Sequence, residues 1–414
     1  MEKVESEISN FPYPSGECWR RILPREVPNR AMWRIILWIL TFTCGLLQTT
    51  LAAEKKETTD DLFTPFKVIQ LKIEVPAASL ESLKSDPKKY VRATLKEGNT
   101  VYADVGLRLK GNGAFQTLDK KPSLTFKFNE FVSGQKFHGN GKLFFENSHQ
   151  DPSLLCAFLG SEVFRAANVP APRVAYAKVE LNGKDAGIYL ITETINRDFL
   201  SQYFKKSKGN LYIGAHGDIT DKLEKDGGDE SKDQSDLKAL ASACREQDPA
   251  GRIKKASGLL DLDRFIIFAA VEDFLWNSSG YTMGRNNYRV YHDPNSNLIS
   301  FLPHDLEQLF ANPKGALFPE WKGLVARNIL ETPEGHRRYR EQLGKVLAGP
   351  GKDEALATRI AEISPKLRPF LSKDDAKSFD SAVNMLKQRI TQRWTFLDQE
   401  LKKPEPTPNT PPKA

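Results

Sequence analysis

The stretch RNNYRVYHDPNSNLISFLPHDLE, residues 285–307, decides the fold class. Its apolar-bearing pieces, 287–291 and 298–302, read as two short strands joined by His292-Asp293-Pro294-Asn295, a run of turn-forming residues. The surrounding patterns are helical, so a hairpin here predicts an α+β protein and not a helical bundle. The hairpin also has a chemical consequence. Asn287 opens its first strand and Asp305 follows its second, so the two outer ends carry both residues to one site.

The helical patterns lie on either side. Over 261–276, Phe265, Ile266, Phe268, Ala269, Val271 and Leu275 recur at helical spacing. Asp273, Trp276 and Asn277 stand at the end of that helix. Further helices are predicted over 334–347, 353–367 and 374–400, and the proline-bearing tail from Pro404 has no apolar period. Towards the N-terminus the period changes to two. Strands are predicted over 67–75, 90–95, 101–110, 123–128 and 142–145. Asp151-Pro152-Ser153 opens a helix running to about residue 167, because Asp suits the cap and Pro the first turn. A hairpin follows over 174–181 and 187–193 across Asn182-Gly183. Residues 214–236 carry many acids and Gly227-Gly228, but lysines interrupt them and the spacing does not match an EF-hand, so a solvated surface excursion is expected.

The chain has 414 residues, of which 40% are hydrophobic and 27% charged, enough apolar material for a substantial core. Its formal charge of +7 comes without a block of Lys and Arg or zinc-finger spacing, so no nucleic-acid partner is expected. Residues 35–47 are nearly all apolar, follow Arg34 and precede Ala52 and Ala53. This is the layout of an export segment, and about 13 residues is short of the roughly 20 that a membrane span needs. An uncleaved N-terminal anchor is the alternative. Met32 offers a simpler start than Met1. Cleavage leaves Cys156 and Cys244, which either pair or remain thiols. No stable membrane span is expected in the mature chain.

Phosphate-binding glycine loops, dinucleotide fingerprints, paired histidines on a helix and nucleophile elbows are all missing. Two clusters carry the chemistry instead. Arg108, Lys110 and Lys127 lie on the polar faces of strands beside the Gly111-Asn112-Gly113 turn, with Lys120 and Lys121 nearby. They read either as a basic pocket for phosphate oxygens or as a solvated strand face. The second cluster contains Asp273, Trp276, Asn277, Asn287, Asp305 and Glu307. A carboxamide with one or two carboxylates supplies hard oxygen ligands suited to Mg²⁺ or Mn²⁺. The alternative is that these residues cap turns and a short helix.

An ordered set of segments resembles the spore coat protein H kinase-like family of secreted or spore-associated atypical kinases. The set runs from Val105-Gly106-Leu107-Arg108-Leu109-Lys110-Gly111-Asn112, through Gln135-Lys136-Phe137-His138-Gly139, Asn147-Ser148-His149-Gln150-Asp151-Pro152-Ser153 and Asn168-Val169-Pro170-Ala171-Pro172. It continues through Leu181-Asn182-Gly183, Gly187-Ile188-Tyr189, Glu193, Trp276, Arg285-Asn286-Asn287-Tyr288 and Phe301-Leu302-Pro303-His304-Asp305. The resemblance implies a two-lobed, atypical protein-kinase-like fold with a sheet-rich N-lobe over a helical C-lobe. It implies ATP and a divalent metal, Mg²⁺ or Mn²⁺, and phosphoryl transfer to Ser or Thr of an exported, envelope or coat protein. Arg108, Lys110 or Lys127 would then face the phosphates, without one being singled out. Glu193 would lie at the nucleotide pocket, pairing with a basic residue or near the interlobe connection. Asn287, Asp305 and Glu307 would hold metal, as a strand-end Asp and an upstream Asn do in protein kinases.

The chain departs from the family pattern at three positions. Asn277 stands where Asp is usual, Glu307 where Asp is usual, and Cys156 where Arg is common. The first departure raises a second reading, a catalytically impaired protein that binds a nucleotide or a protein partner. Asp273, four residues before Asn277, is the candidate substitute base by i,i+4 spacing. The expected organisation is an extension with export segment over 1–53, a flexible run over 54–66, a kinase-like domain over 67–400 and a disordered Pro-rich tail over 401–414. Within the domain, 67–213 is the N-lobe, 214–236 the acidic excursion and 237–400 the C-lobe. Secretion, or a periplasmic or envelope location, follows from the export segment.

Overall fold

Strict alternation in the first half of the chain puts every second side chain on one side of each strand, and those apolar sets close on one another. In the computed structural model, which describes residues 60–63, 66–111, 116–117, 120–228 and 233–404, they form a closed barrel. Its strands are β1 (Val68–Glu74), β2 (Val91–Glu97), β3 (Thr100–Lys110), β4 (Ser123–Lys127), β5 (Lys142–Glu146), β6 (Val174–Leu181) and β7 (Lys184–Glu193). The order is β1-β2-β3-β4-β5-β7-β6, and the parallel pairing of β6 with β1 closes the ring. Leu107 faces Phe126 across β3 and β4, Phe126 faces Leu143 across β4 and β5, and Phe145 faces Ile191 across β5 and β7. Phe126, Phe128, Phe137 and Phe145 are fully buried and stack inside. Each such ring stabilises the fold by roughly 1.5–3 kcal/mol relative to exposure.

A second sheet has the order β11-β10-β8-β9, from β8 (Asn210–Gly214), β9 (Glu224–Gly227), β10 (Tyr288–Asp293) and β11 (Leu298–Pro303). The β10–β11 pairing is the hairpin read from residues 285–307, with Tyr288 opposite Pro303. The helix Leu262–Phe274 packs behind it, Phe265 meeting Phe301 with ring centroids 5.0 Å apart. The helices Leu324–Leu330, Pro333–Ala348, Asp353–Leu367 and Lys373–Lys402 complete this core. Among the described residues no helix is long and apolar enough to cross a membrane.

Several expectations are corrected. The division at 213 cuts through β8, which pairs with β10 and belongs to the second sheet. Residues 214–236 are not simply a solvated excursion: the described part contains β9, and Asp218 is buried, accepting from the Leu324 N–H at 2.7 Å and the Tyr281 hydroxyl at 3.1 Å. The run 54–66 includes a helical turn, Asp60–Phe63, with Leu62 buried. The helix expected from Asp151 starts at Cys156, yet Asp151 still serves its end, because its Oδ2 accepts from the Cys156 N–H at 2.8 Å. The helix expected to reach residue 276 stops at Phe274, since Trp276 is left-handed at φ 48°. Cys156 and Cys244 are buried, unpaired thiols. The expected export segment, Asn112 and Gly113 of the early turn, and the tail beyond residue 404 lie outside the described residues.

Candidate functional site

On β3 the odd residues Val105, Leu107 and Leu109 fill the barrel, so the even ones, Arg108 and Lys110, face outward. Lys110 lies opposite Ser123 on β4 and reaches across it to Glu146 on β5, Nζ to Oε1 at 2.6 Å. Burial alone would lower the Lys110 ammonium, but the Glu146 and Asp305 carboxylates outweigh it and hold it above its ordinary value. Burial raises Glu146, with Lys110 pulling the other way.

The loop after β11 faces this pair. A hydrogen bond from the His304 N–H to the Asn287 carbonyl, 3.0 Å, ties the loop to the start of β10, so the hairpin does carry residues 287 and 305 to one end. Asn287 and Asp305 are both left-handed, at φ 49° and 52°. Asn and Asp tolerate that conformation best among residues with a Cβ, and such sites hold side chains in fixed directions. Asp305 is exposed and Glu307 half-buried. Burial, then the Asp305 and Glu146 carboxylates, push Glu307 up to about 8, against the pull of Lys110. His304 lies edge-on to Phe144, centroids 6.0 Å apart, and burial with nearby Arg289 and Lys110 drives its pKa well down, so it is neutral. A small apolar cavity behind these groups is walled by Phe144, Val174, Leu190, Ala157 and the 303–307 loop.

Further along the outer barrel face three cations gather, with Arg289 of β10 close to them. Arg108 stacks on Tyr90 at 4.9 Å, and Lys127 pairs with Glu130 at 2.6 Å. Lys142 lies opposite Lys127. Burial, with Arg108, Lys127 and Arg289 close by, lowers the Lys142 pKa, and burial brings Arg289 down to about 10, with only Asp226, Glu224 and Asp305 countering it. Lys127 has Glu130 and Asp226 acts on both Lys142 and Arg289, yet burial still lowers the last two, a setting that favours an added anion.

The geometry separates the remaining expected residues from this centre. Glu193 sits three residues beyond the β7 position that faces Glu146 and is consumed by Arg173, whose Nε and Nη2 donate at 3.1 and 2.9 Å, and by Gln202 at 2.9 Å. Asp273 does not face Asn277. It is fully buried and accepts from Thr282 Oγ1 at 2.9 Å and Trp321 Nε1 at 2.8 Å. The i,i+4 argument fails because the helix has ended and the backbone has turned left-handed before residue 277. Asn277 is also fully buried. Its Nδ2 donates to Glu272 Oε1 at 3.4 Å and its Oδ1 accepts from Ser279 Oγ at 3.3 Å, while Asn287 Nδ2 donates to the same Ser279 oxygen at 3.4 Å. Glu272 further accepts from the N–H groups of Tyr281 and Thr282, at 3.1 and 2.8 Å. A Cβ on Gly280 would come within 2.2 Å of Glu272, so only glycine lets the loop close over it.

Among the described residues no three His, Cys, Asp or Glu side chains form a metal-holding group. The expected set is two carboxylates, Asp305 and Glu307, with the Asn287 amide. Sequence reasoning missed Glu146, Lys142, Arg289 and Glu272. The first two were within reach, because alternation puts Lys142, Phe144 and Glu146 on one face of β5. Arg289 and Glu272 carried no such signal, since their neighbours come from distant segments.

A family model described as CotH kinase protein matches residues 107–402. Inner spore coat protein H of Bacillus subtilis is 23% identical over 299 residues, covering 66% of this chain and 81% of that protein. Invasin CotH3 of Rhizopus delemar is 23% identical over 306 residues, covering 65% of this chain and 50% of the invasin. Among solved structures, the HipA complex with HipB and operator DNA from Shewanella oneidensis MR-1 superposes with a TM-score of 0.36 at 13% identity, over 81% of this chain and 74% of that one. The Helicobacter pylori proinflammatory kinase CtkA gives 0.33 at 9% identity, over 70% and 96%. These superpositions are too loose to argue from. The family match runs from β3 to the last helix, over most of the chain, and on that ground the protein belongs to the CotH kinase protein family.

Proposed function

We propose that the chain is an exported, ATP-dependent phosphotransferase acting on Ser or Thr hydroxyls of coat or envelope proteins. The observation that carries this reading is the half-buried Lys110–Glu146 pair, 2.6 Å apart, aimed at the Asp305 and Glu307 loop. Lys110 would take phosphate oxygens on one side of the cleft, and the cluster of Arg108, Lys127, Lys142 and Arg289 offers further positive charge for the nucleotide. In this reading the barrel and the helical part stand as the two lobes. The names of the relatives, an inner spore coat protein and an invasin, support a coat or surface location.

The carboxylates also fit a divalent cation. Burial, and after it the Asp305 and Glu146 carboxylates, hold Glu307 at about 8, and a cation would relieve the repulsive part. Asp305, Glu307 and the Asn287 side-chain amide oxygen would hold Mg²⁺ or Mn²⁺, which when bound supplies positive charge against the phosphate oxygens. In transfer, the acceptor oxygen bonds to the γ-phosphorus as the bond to the bridging oxygen of ADP breaks. The transition state is loose, so the hydroxyl proton leaves late and water takes it. The amide at 277 therefore does not by itself abolish the reaction.

A nucleotide-binding protein without transferase activity is the second reading. It is favoured by the burial of Asn277 and Asp273, which leaves no carboxylate at either position facing the cleft. Incubating the purified chain with γ-labelled ATP and Mg²⁺ or Mn²⁺, beside Asp305→Ala, separates the two. Label in the wild type and loss in the variant supports transfer. Nucleotide binding without label supports the second reading, and equal label in both proteins removes the proposed site.

A further inference from the structure

An open groove borders the candidate site and is walled on one side by the Lys373–Lys402 helix. Glu307, which also walls the apolar cavity, lines it together with Ser278 of the Asn277 loop, so groove and site are continuous. On the helix, Ser378, Ala382, Met385 and Arg389 recur at steps of four, three and four, forming one stripe along the groove. Met385 is 48% exposed, the only large apolar side chain of the described helices left so open. A flexible thioether on a groove wall is suited to receive an apolar side chain from outside.

The charges on the wall indicate what that chain carries. Lys377 and Arg389 both line the groove, and neither has a carboxylate partner among the described residues. By contrast Lys402 and Lys403, at the end of the same helix, pair with Asp398 and Glu400. Of the two carboxylates in the groove, Asp151 is engaged by Ser153 and the Cys156 N–H, and Glu307 belongs to the proposed cation site. Lys377 and Arg389 are separated by about 18 Å of helix at 1.5 Å per residue, which an extended chain spans with about five residues.

We propose that this groove docks the phosphoryl acceptor as an extended acidic segment. Its carboxylates sit about five residues apart against Lys377 and Arg389, an apolar side chain lies on Met385, and a Ser or Thr is presented beside Ser278 and Glu307. This rests on the phosphotransferase reading, but docking is measurable without catalysis. The test is fluorescence anisotropy of the full chain with a labelled peptide carrying one Ser, one Leu and two Glu at that spacing, beside a counterpart with Lys in place of Glu.

The acidic peptide should bind at least about tenfold more tightly than its counterpart, and added salt should weaken it. Lys377→Glu combined with Arg389→Glu should reverse the preference. Met385→Glu should weaken the acidic peptide several-fold. A fluorescent ATP analogue should bind all these proteins alike, which reports that the variants are folded. Equal affinity for the two peptides, or an unchanged preference in the double variant, overturns the proposal. Peptide binding without label transfer leaves the docking groove standing and removes the phosphotransferase reading instead.

Discussion

Lys110 and Glu146 are each tolerable in a half-buried place because of the other, and that interdependence makes them testable separately. Lys110→Met removes the cation facing the Asp305 loop. It is expected to lower the label-transfer rate by roughly a hundredfold or more, the scale of losing one preorganised charge at a reacting group. Asn277 poses the opposite question, since its amide is matched to a carboxylate. Asn277→Asp would bury a second acid beside Glu272, whose Oε1 is 3.4 Å from the present Nδ2 and which burial already pushes up to about 8. Chemical denaturation should show a loss of about 1–3 kcal/mol. Glu272→Gln in the same chain should recover part of it, a coupling readable as a double-mutant cycle. Restoring the usual family residue is thus expected to harm this protein, because its surroundings fit the amide.

At the scale of elements, the junction of β8, β10 and the Ser235–Cys244 helix depends on Asp236. Its carboxylate accepts from Tyr212 at 2.8 Å, His292 Nδ1 at 3.0 Å and Asn210 at 3.1 Å. Burial acts against ionisation there, but the hydrogen bonds from His292, Tyr212 and Asn210 prevail and hold it near 2, while the bond to Asp236 raises His292 above 6.5. The two signs define a window. The Asp236 contribution is present above its unfolded value of 3.8 and fades as pH falls towards 2. The His292 contribution is complete below 6.5 and fades as pH rises through its raised value. Thermal denaturation against pH should show the alkaline fall, and His292→Phe should flatten it. The β10–β11 hairpin was legible in the sequence, because both strands are local and the turn is marked. Its partners β8 and β9 were not, because Asn210–Gly214 reaches β10 across more than seventy residues and its five residues carry no period of their own.

For the whole molecule, the last helix acts as a clamp on the site. Arg393 is fully buried, stacks on Trp276 at 5.0 Å and donates to the carbonyl oxygens of Asp273, Phe274 and Gly315. Two of those carbonyls lie at the C-terminal end of the Leu262–Phe274 helix, where a cation is favoured; the Asp273 carbonyl also accepts from the Trp276 N–H at 3.1 Å. Arg393→Met would take the guanidinium donor from the Phe274 and Gly315 carbonyls. The expected loss is about 3 kcal/mol by denaturant titration, with nucleotide affinity falling as the Asn277 loop loosens. Arg393→Lys should restore only part, since an ammonium does not reproduce a planar fork.

Read alone, the sequence determined the strand alternation, the hairpin that joins residues 287 and 305, the long C-terminal helices and the family, because these depend on local period and on ordered short segments. The tertiary structure decided the closure of the barrel, the choice of Glu146 over Glu193 as the partner of Lys110, and the burial of Asp273 and Asn277. Each of those turns on which distant segments meet and how far water is excluded where they do, and neither quantity is carried by the spacing of residues along the chain.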